Sequence, residues 1–196
     1  HPPQITETGI PVLPVFSKKQ NTAHLTKTLG IMHEKVVLFL SGGEGLVRLD
    51  KLVEEFNKEY SSPITIITVA GKNKKLKKKL DNLHTPSQVQ HISIGWTSTI
   101  HELFAVADIV CTKPGGMTVS ECMATGKKLL LFSPIPGQEE GNIRFLSKIK
   151  YPYVLHNKKT SLAEDIKKLL LTTAPNPKNT EASKQILSAI LKNTPH

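Results

Sequence analysis

The sequence predicts an α/β fold, a Rossmann-like doubly wound parallel sheet of about six strands with helices on both faces. Three observations predict it. Short apolar runs alternate with helix-period segments along most of the 196 residues, the spacing of βαβ units. Hydrophobic residues are concentrated in those runs and are separated by polar segments, as in a soluble globular domain. Glycine-bearing loops follow the first, fourth and fifth runs, at the strand-to-helix junctions where such folds take ligands.

The elements are read in order. Residues 1–16, with Pro2, Pro3, Pro11 and Pro14 and no helical period, form an extended lead-in between domains. Ser17 caps a short helix that stops at about Gly30. Val36–Ser41 is the first strand; it ends in Gly42-Gly43-Glu44-Gly45, and Leu46–Tyr60 follows as a helix with Leu49, Leu52, Val53 and Phe56 at helical spacing. Ile64–Ala70 is the second strand, followed by a lysine-rich helix to Leu83. Val89–Gly95 is the third, with a helix over Thr99–Ala107. Asp108–Thr112 is the fourth, leading through Lys113-Pro114-Gly115-Gly116 into a helix over Thr118–Thr125 that Gly126 stops. Lys128–Ser133 is the fifth, broken by Pro134, Pro136 and Gly137 before a helix from Glu139 to Ile149. Tyr153–His156 is the sixth. Helices over Ser161–Thr172 and Thr180–Leu191 close the chain, so that a domain over 17–174 is followed by a linker and helix over 175–196. The expected strand order is 3-2-1-4-5-6.

Composition narrows the function. A formal charge of +10 favours anionic partners. Much of it lies in Lys72–Lys79, which lacks the interleaved aromatics of a single-strand nucleic-acid platform. An anionic membrane surface suits that run better than nucleic acid. No apolar run approaches the ~18 residues of a transmembrane span. Cys111 and Cys122 form neither a disulfide framework nor a zinc spacing and read as buried free thiols. No metal cluster is visible. The chain begins at His1 without Met, and a preceding segment is expected.

The loops 42–45, 114–116 and 134–137 each follow a strand and open a helix, so in a parallel sheet all three share the carboxyl edge. The first two flank the crevice where the strand order reverses. Glycines let backbone N–H groups approach an anion, and a helix N-terminus adds positive potential. A diphosphate fits this arrangement. Gly42–Gly45 is neither a P-loop nor a full G-x-G-x-x-G. NAD binding wants an acid after the second strand, where the chain reads Val69-Ala70-Gly71-Lys72. Lys72 leaves an NADP reading open but less favoured.

Two longer motifs, Thr112-Lys113-Pro114-Gly115-Gly116-Met117-Thr118-Val119-Ser120-Glu121 and Pro134-Ile135-Pro136-Gly137-Gln138-Glu139-Glu140-Gly141-Asn142, resemble the donor site of GT-B glycosyltransferases. The chain is similar to the C-terminal half of the family that holds MurG, monogalactosyldiacylglycerol synthases and processive diacylglycerol glucosyltransferases. Pro-Gly-Gln-Glu-x-Gly-Asn and Gly42–Gly45 resemble the glycolipid synthases most, although Leu46-Val47 departs from the Met-Gly of the plant enzymes. Thr8–Val12 resembles the strand by which the family's chain enters this half.

The resemblance implies a UDP-sugar donor and no cofactor. It assigns Gly43, Gly115 and Gly116 to the diphosphate turns, Glu121 to the two ribose hydroxyls, Gln138 and Glu139 to the sugar, and Glu44, Met117, Thr118 and Asn142 to the donor site at large. The segment Gly95-Trp96-Thr97 falls where the family's backbone pairs with the uracil edge. It implies an inverting transfer of a hexose to a lipid acceptor such as diacylglycerol, by an enzyme peripheral at the cytoplasmic face of a membrane. The acceptor and the base would belong to an N-terminal domain that precedes these residues, leaving no catalytic residue here and the fragment inactive alone. A MurG-like N-acetylglucosaminyltransferase and a non-catalytic nucleotide-sugar module are the alternatives. Other readings of the same residues are open: Thr118 to Glu121 has capping-box spacing, Gln138–Glu140 suits a first helical turn, Trp96 can be packing, and His91 and His101 read as structural.

Overall fold

The computed structural model describes residues 5–132, 134–157, 159–178 and 181–193. Its centre is β1 (Val36–Leu40), buried at all five positions. β2 (Ile64–Val69), rich in β-branched residues, is buried throughout, and β3 (Val89–Ile94) is half-buried beyond Val89. β4 (Ile109–Thr112) and β5 (Lys128–Leu131) are again buried, and the short β6 (Tyr153–Leu155) ends the sheet. The order is β3-β2-β1-β4-β5-β6, with every pairing parallel. Strands continuous in apolar residues need cover on both sides, and two clusters supply it. α2 (Leu49–Glu59), α3 (Lys74–Asp81) and α7 (Leu162–Leu171) pack one face around Phe39 and Phe56. α4 (Ile100–Val106), α5 (Gly116–Thr125) and α6 (Glu140–Lys148) pack the other around Leu38, Phe104 and Leu129.

The register aligns the strand ends. Phe39 of β1 pairs with Thr68 of β2 and Cys111 of β4, so the loops after β1, β2 and β4 emerge side by side. The direction in which successive strands are added reverses at β1, because β2 and β3 build outward on one side and β4 to β6 on the other. The crevice this opens at the carboxyl edge is the ligand position of doubly wound folds. The sheet order and that edge agree with the sequence-based expectation.

Several element boundaries differ, each for a local reason. Thr8–Val12 forms no strand; Val12 and Val15 pack on the second cluster, and Pro14–Ser17 is a 3-10 turn that buries Phe16 edge-on against Phe104, 5.4 Å between ring centres. Ser17 is therefore used in that turn. The first helix, α1 (Thr22–Thr28), is capped instead by Asn21, whose side chain accepts from the His24 N–H. α2 starts at Leu49 and not at Leu46, because Gly45 adopts φ +66° and the chain must first seat Val47 in the core. α3 starts at Lys74, since the Asn73 side chain caps it through the Leu76 N–H, 2.9 Å away. α5 begins two residues early, at Gly116. α7 opens on a full capping box between Ser161 and Glu164.

The segment after α7 packs back onto the domain: Lys178 donates its N–H to the Met123 carbonyl, 2.8 Å away. α8 (Ala182–Asn193) follows, with Ala182 buried beside Gly9 of the lead-in.

Candidate functional site: a cleft at the strand reversal

A cleft of about 210 Å³ lies at the carboxyl edge. Leu40, Ser41, Gly42 and Gly43 form its β1 wall, and Val69 and Gly71 its β2 wall. Trp96 and Thr97 come from the β3–α4 loop, Ile100 from the start of α4, and Thr112, Thr118 and Glu121 from β4 and α5. The walls are stitched together. Ser41 donates its hydroxyl to the Val69 carbonyl at 2.7 Å. Lys72 donates its backbone N–H to the Gly43 carbonyl at 3.0 Å. Gly71, at φ +61°, comes so close that a β-carbon there would stand 2.5 Å from the Gly43 oxygen. Only glycine gives both the left-handed backbone and the approach.

α5 brings its N-terminus to the cleft rim. Gly115 is its N-cap and Gly116 its first residue, so the N–H groups of the first turn have no partner within the helix and point to the carboxyl edge. Thr118 and Glu121, three residues apart, share the helix face that lines the cleft. The capping-box reading is overturned: Thr118 lies inside the helix, so Glu121 has no N-cap N–H of Thr118 to satisfy. Glu121 is half-buried, and burial pushes its carboxyl up to about 7. Among the described residues it is the only charged side chain on the cleft wall.

The other anticipated residues fall into three groups. Gly43 and Trp96 line the cleft, and Trp96 is 64% exposed, so it is no core packing residue. Glu44, Gly95, Gly115, Gly116 and Met117 stand around its rim without lining it; Met117 is exposed, and Glu44 is ion-paired to Lys72 at 3.0 Å. Gln138 and Glu139 lie on the β5–α6 loop and Asn142 in the first turn of α6, all outside the lining. Gln138 is exposed, and the Asn142 amide donates to the Pro114 carbonyl at 2.7 Å, bracing the loop before α5. Glu139 is buried: Oε2 accepts from the Ile135 N–H at 2.8 Å, while Oε1 lies 3.8 Å from where a Gly115 β-carbon would stand. Its carboxylate thus holds its own loop with one oxygen and turns the other toward the α5 N-terminus.

Two further expectations need correcting. The glycine loop after β1 does not open a helix, because α2 starts beyond it and takes Arg48 as N-cap. Positive helix potential therefore comes to the crevice from α5, and the β1 turn contributes backbone groups alone. In the third loop a turn over Pro136–Glu139 precedes α6. Thr97 and Thr112 belong to segments the resemblance had marked, whereas Ser41, Gly71 and Ile100 were not anticipated as site residues. For Gly71 the signal existed, an isolated glycine ending a β-branched run.

The histidines singled out have structural settings. His91 shares a 2.9 Å hydrogen bond with Thr68, and burial pushes its imidazole down to about 4. His101 stacks edge-on to Phe16. Cys111 and Cys122 are buried free thiols, both pushed up by burial.

Fold and cleft define a doubly wound α/β domain with its ligand position at the strand reversal. The chain belongs to the family described as the glycosyltransferase family 28 C-terminal domain, which matches residues 36–193. It is 33% identical over 172 residues to the processive diacylglycerol beta-glucosyltransferase of Bacillus pumilus, covering 87% of this chain and 44% of that protein. The chain thus spans about half the length of the curated relatives it matches. Among solved structures, Acinetobacter baumannii MurG superposes with a TM-score of 0.69 at 14% identity, over 97% of this chain and 58% of its own. Anabaena Alr3699/HepE, solved with UDP and glucose, gives 0.59 at 18%, over 93% and 55%. These two likenesses bear on the fold, which is that of the C-terminal domain of GT-B glycosyltransferases.

Proposed function

We propose that the cleft binds the UDP of a UDP-hexose and that the whole protein transfers the hexose, with inversion, to a lipid acceptor such as diacylglycerol. Glu121 carries this reading. A carboxylate set alone in a neutral cleft, on the helix that opens at the Gly115-Gly116 turn, is placed to accept hydrogen bonds from two adjacent hydroxyls. The ribose of a nucleotide whose phosphates sit at that turn presents such a pair. The kinship with diacylglycerol glucosyltransferases supports the lipid acceptor.

In the transfer, an acceptor hydroxyl attacks the anomeric carbon and gives its proton to a base outside these residues, the bond to the β-phosphate oxygen breaks, and UDP leaves with the electron pair. This domain's contribution is to the leaving group: the N–H groups of the first α5 turn stabilise the growing charge on the diphosphate. Glu139 and Gln138, beyond the Pro136-Gly137 turn, reach the hexose. The exposed lysines of α3, Lys74, Lys75, Lys78 and Lys79, face an anionic membrane surface, with Leu76 and Leu80 anchoring the helix inside.

Titration calorimetry with UDP tests the site. Glu121→Ala removes a charged acceptor for two hydroxyls and weakens UDP by about 1.5–3 kcal/mol. Unchanged affinity in a folded variant would remove the ribose assignment.

A further inference from the structure

We propose that Lys72 is the counter-cation of the donor diphosphate and that Glu44 holds its ammonium at the cleft rim until the donor arrives. The inference rests on the UDP-site reading above and adds a residue to it. The cleft wall carries one carboxylate, Glu121, and no lysine or arginine among the described residues. A diphosphate placed there meets backbone N–H groups but no cationic side chain from the wall itself. Lys72 directly follows Gly71, and Glu44 directly follows Gly43, both of which line the cleft. Their ion pair, 3.0 Å long, therefore bridges the two loops at the cleft rim.

The backbone under this pair is fixed while the side chains are free. The Lys72 N–H is held by the Gly43 carbonyl at 3.0 Å, and the Asn73 amide donates to the Gly45 carbonyl at 2.9 Å. Lys72 and Glu44 are 65% and 68% exposed. A pair that exposed contributes little to stability and exchanges readily. A diphosphate is the stronger anion, and its approach turns the ammonium inward while the Glu44 carboxylate, now like-charged with the ligand, is displaced. Lys72 thereby acts apart from the lysines of α3, which begin two residues later and point along the helix surface.

Calorimetric titration of the chain with UDP and with uridine tests this. Lys72→Met lowers UDP affinity about fivefold and leaves uridine affinity unchanged, because uridine has no phosphate to lose a partner. Glu44→Gln raises UDP affinity about twofold, and the double variant binds as Lys72→Met does, since the latch is meaningless without its cation. Lys58→Met, on the far part of α2, removes the same charge at a distance and changes neither ligand's affinity. Equal losses for UDP and uridine, no loss, a loss matched by Lys58→Met, or a loss found only with Lys113→Met would each overturn the assignment. Wild-type protein that binds no UDP would overturn the UDP-site reading itself, whereas UDP binding insensitive to Lys72 overturns this inference alone.

Discussion

Glu121 couples the cleft to pH. With its carboxyl pushed up to about 7 by burial, the folded protein holds a proton there that the unfolded chain releases near the ordinary value of 4.5. A raised folded pKa means that the stability is fully present below about 4.5 and is lost as pH rises through about 7. Glu121→Gln, which carries no charge, is thus expected to raise the melting temperature at pH 8 and to leave it unchanged at pH 4. The same variant weakens UDP at pH 8, because one acceptor for two hydroxyls is gone. Opposite signs for stability and affinity mark a residue kept for a ligand; a purely structural role lowers both. UDP affinity of the wild type also falls as pH drops below about 7, by at most about tenfold per unit, and the part due to Glu121 is the slope that Glu121→Gln removes. Glu121 was legible in sequence only through the motif around it. Its residue type and spacing fitted a capping box equally well, and the start of α5 at Gly116 decided between them.

At the scale of elements, strands were more legible than helix starts. Continuous apolar runs mark strands buried on both faces, whereas a helix start depends on one hydrogen bond of its cap, which spacing does not reveal. Asn21 displaced the anticipated start at Ser17 in this way, and Asn73 sets a start that spacing alone had not marked. The β5–α6 loop shows the same limit, since nothing in Gln138-Glu139 reveals that Glu139 turns one oxygen back on Ile135. Glu139→Ala is therefore expected to loosen the loop and weaken UDP-hexose together. Glu139→Gln keeps an acceptor for Ile135 and isolates the sugar contact, so the gap between UDP-hexose and UDP affinities narrows while UDP affinity holds. Equal losses for both ligands would assign Glu139 to the loop alone. For α3, replacing Lys74, Lys75 and Lys78 with Gln is expected to weaken binding to phosphatidylglycerol-containing vesicles by about 1 kcal/mol per lysine. Co-sedimentation should weaken further as salt rises. Binding to neutral vesicles at equal strength would exclude this electrostatic attachment.

For the whole molecule, strand order and ligand edge were both readable, because alternating strands and helices joined by short connections leave few topologies open. What the linear pattern does not contain is the closure of the edge. Gly71 folds against Gly43, the Asn142 amide ties α6 to the loop before α5, and Phe16 draws the lead-in onto the domain. These contacts join segments far apart in sequence. Together they make a cleft whose walls, among the described residues, are neutral apart from Glu121 and whose rim holds the N-terminus of α5, and the central claim is that this cleft selects a uridine diphosphate. The direct measurement is calorimetric competition on the wild-type chain among UDP, UDP-glucose, UDP-N-acetylglucosamine, ADP and NADP. UDP and a UDP-hexose are expected to bind at one shared site, each displacing the other, with ADP and NADP far weaker. NADP binding as tight as UDP, or no binding of UDP, would contradict the account.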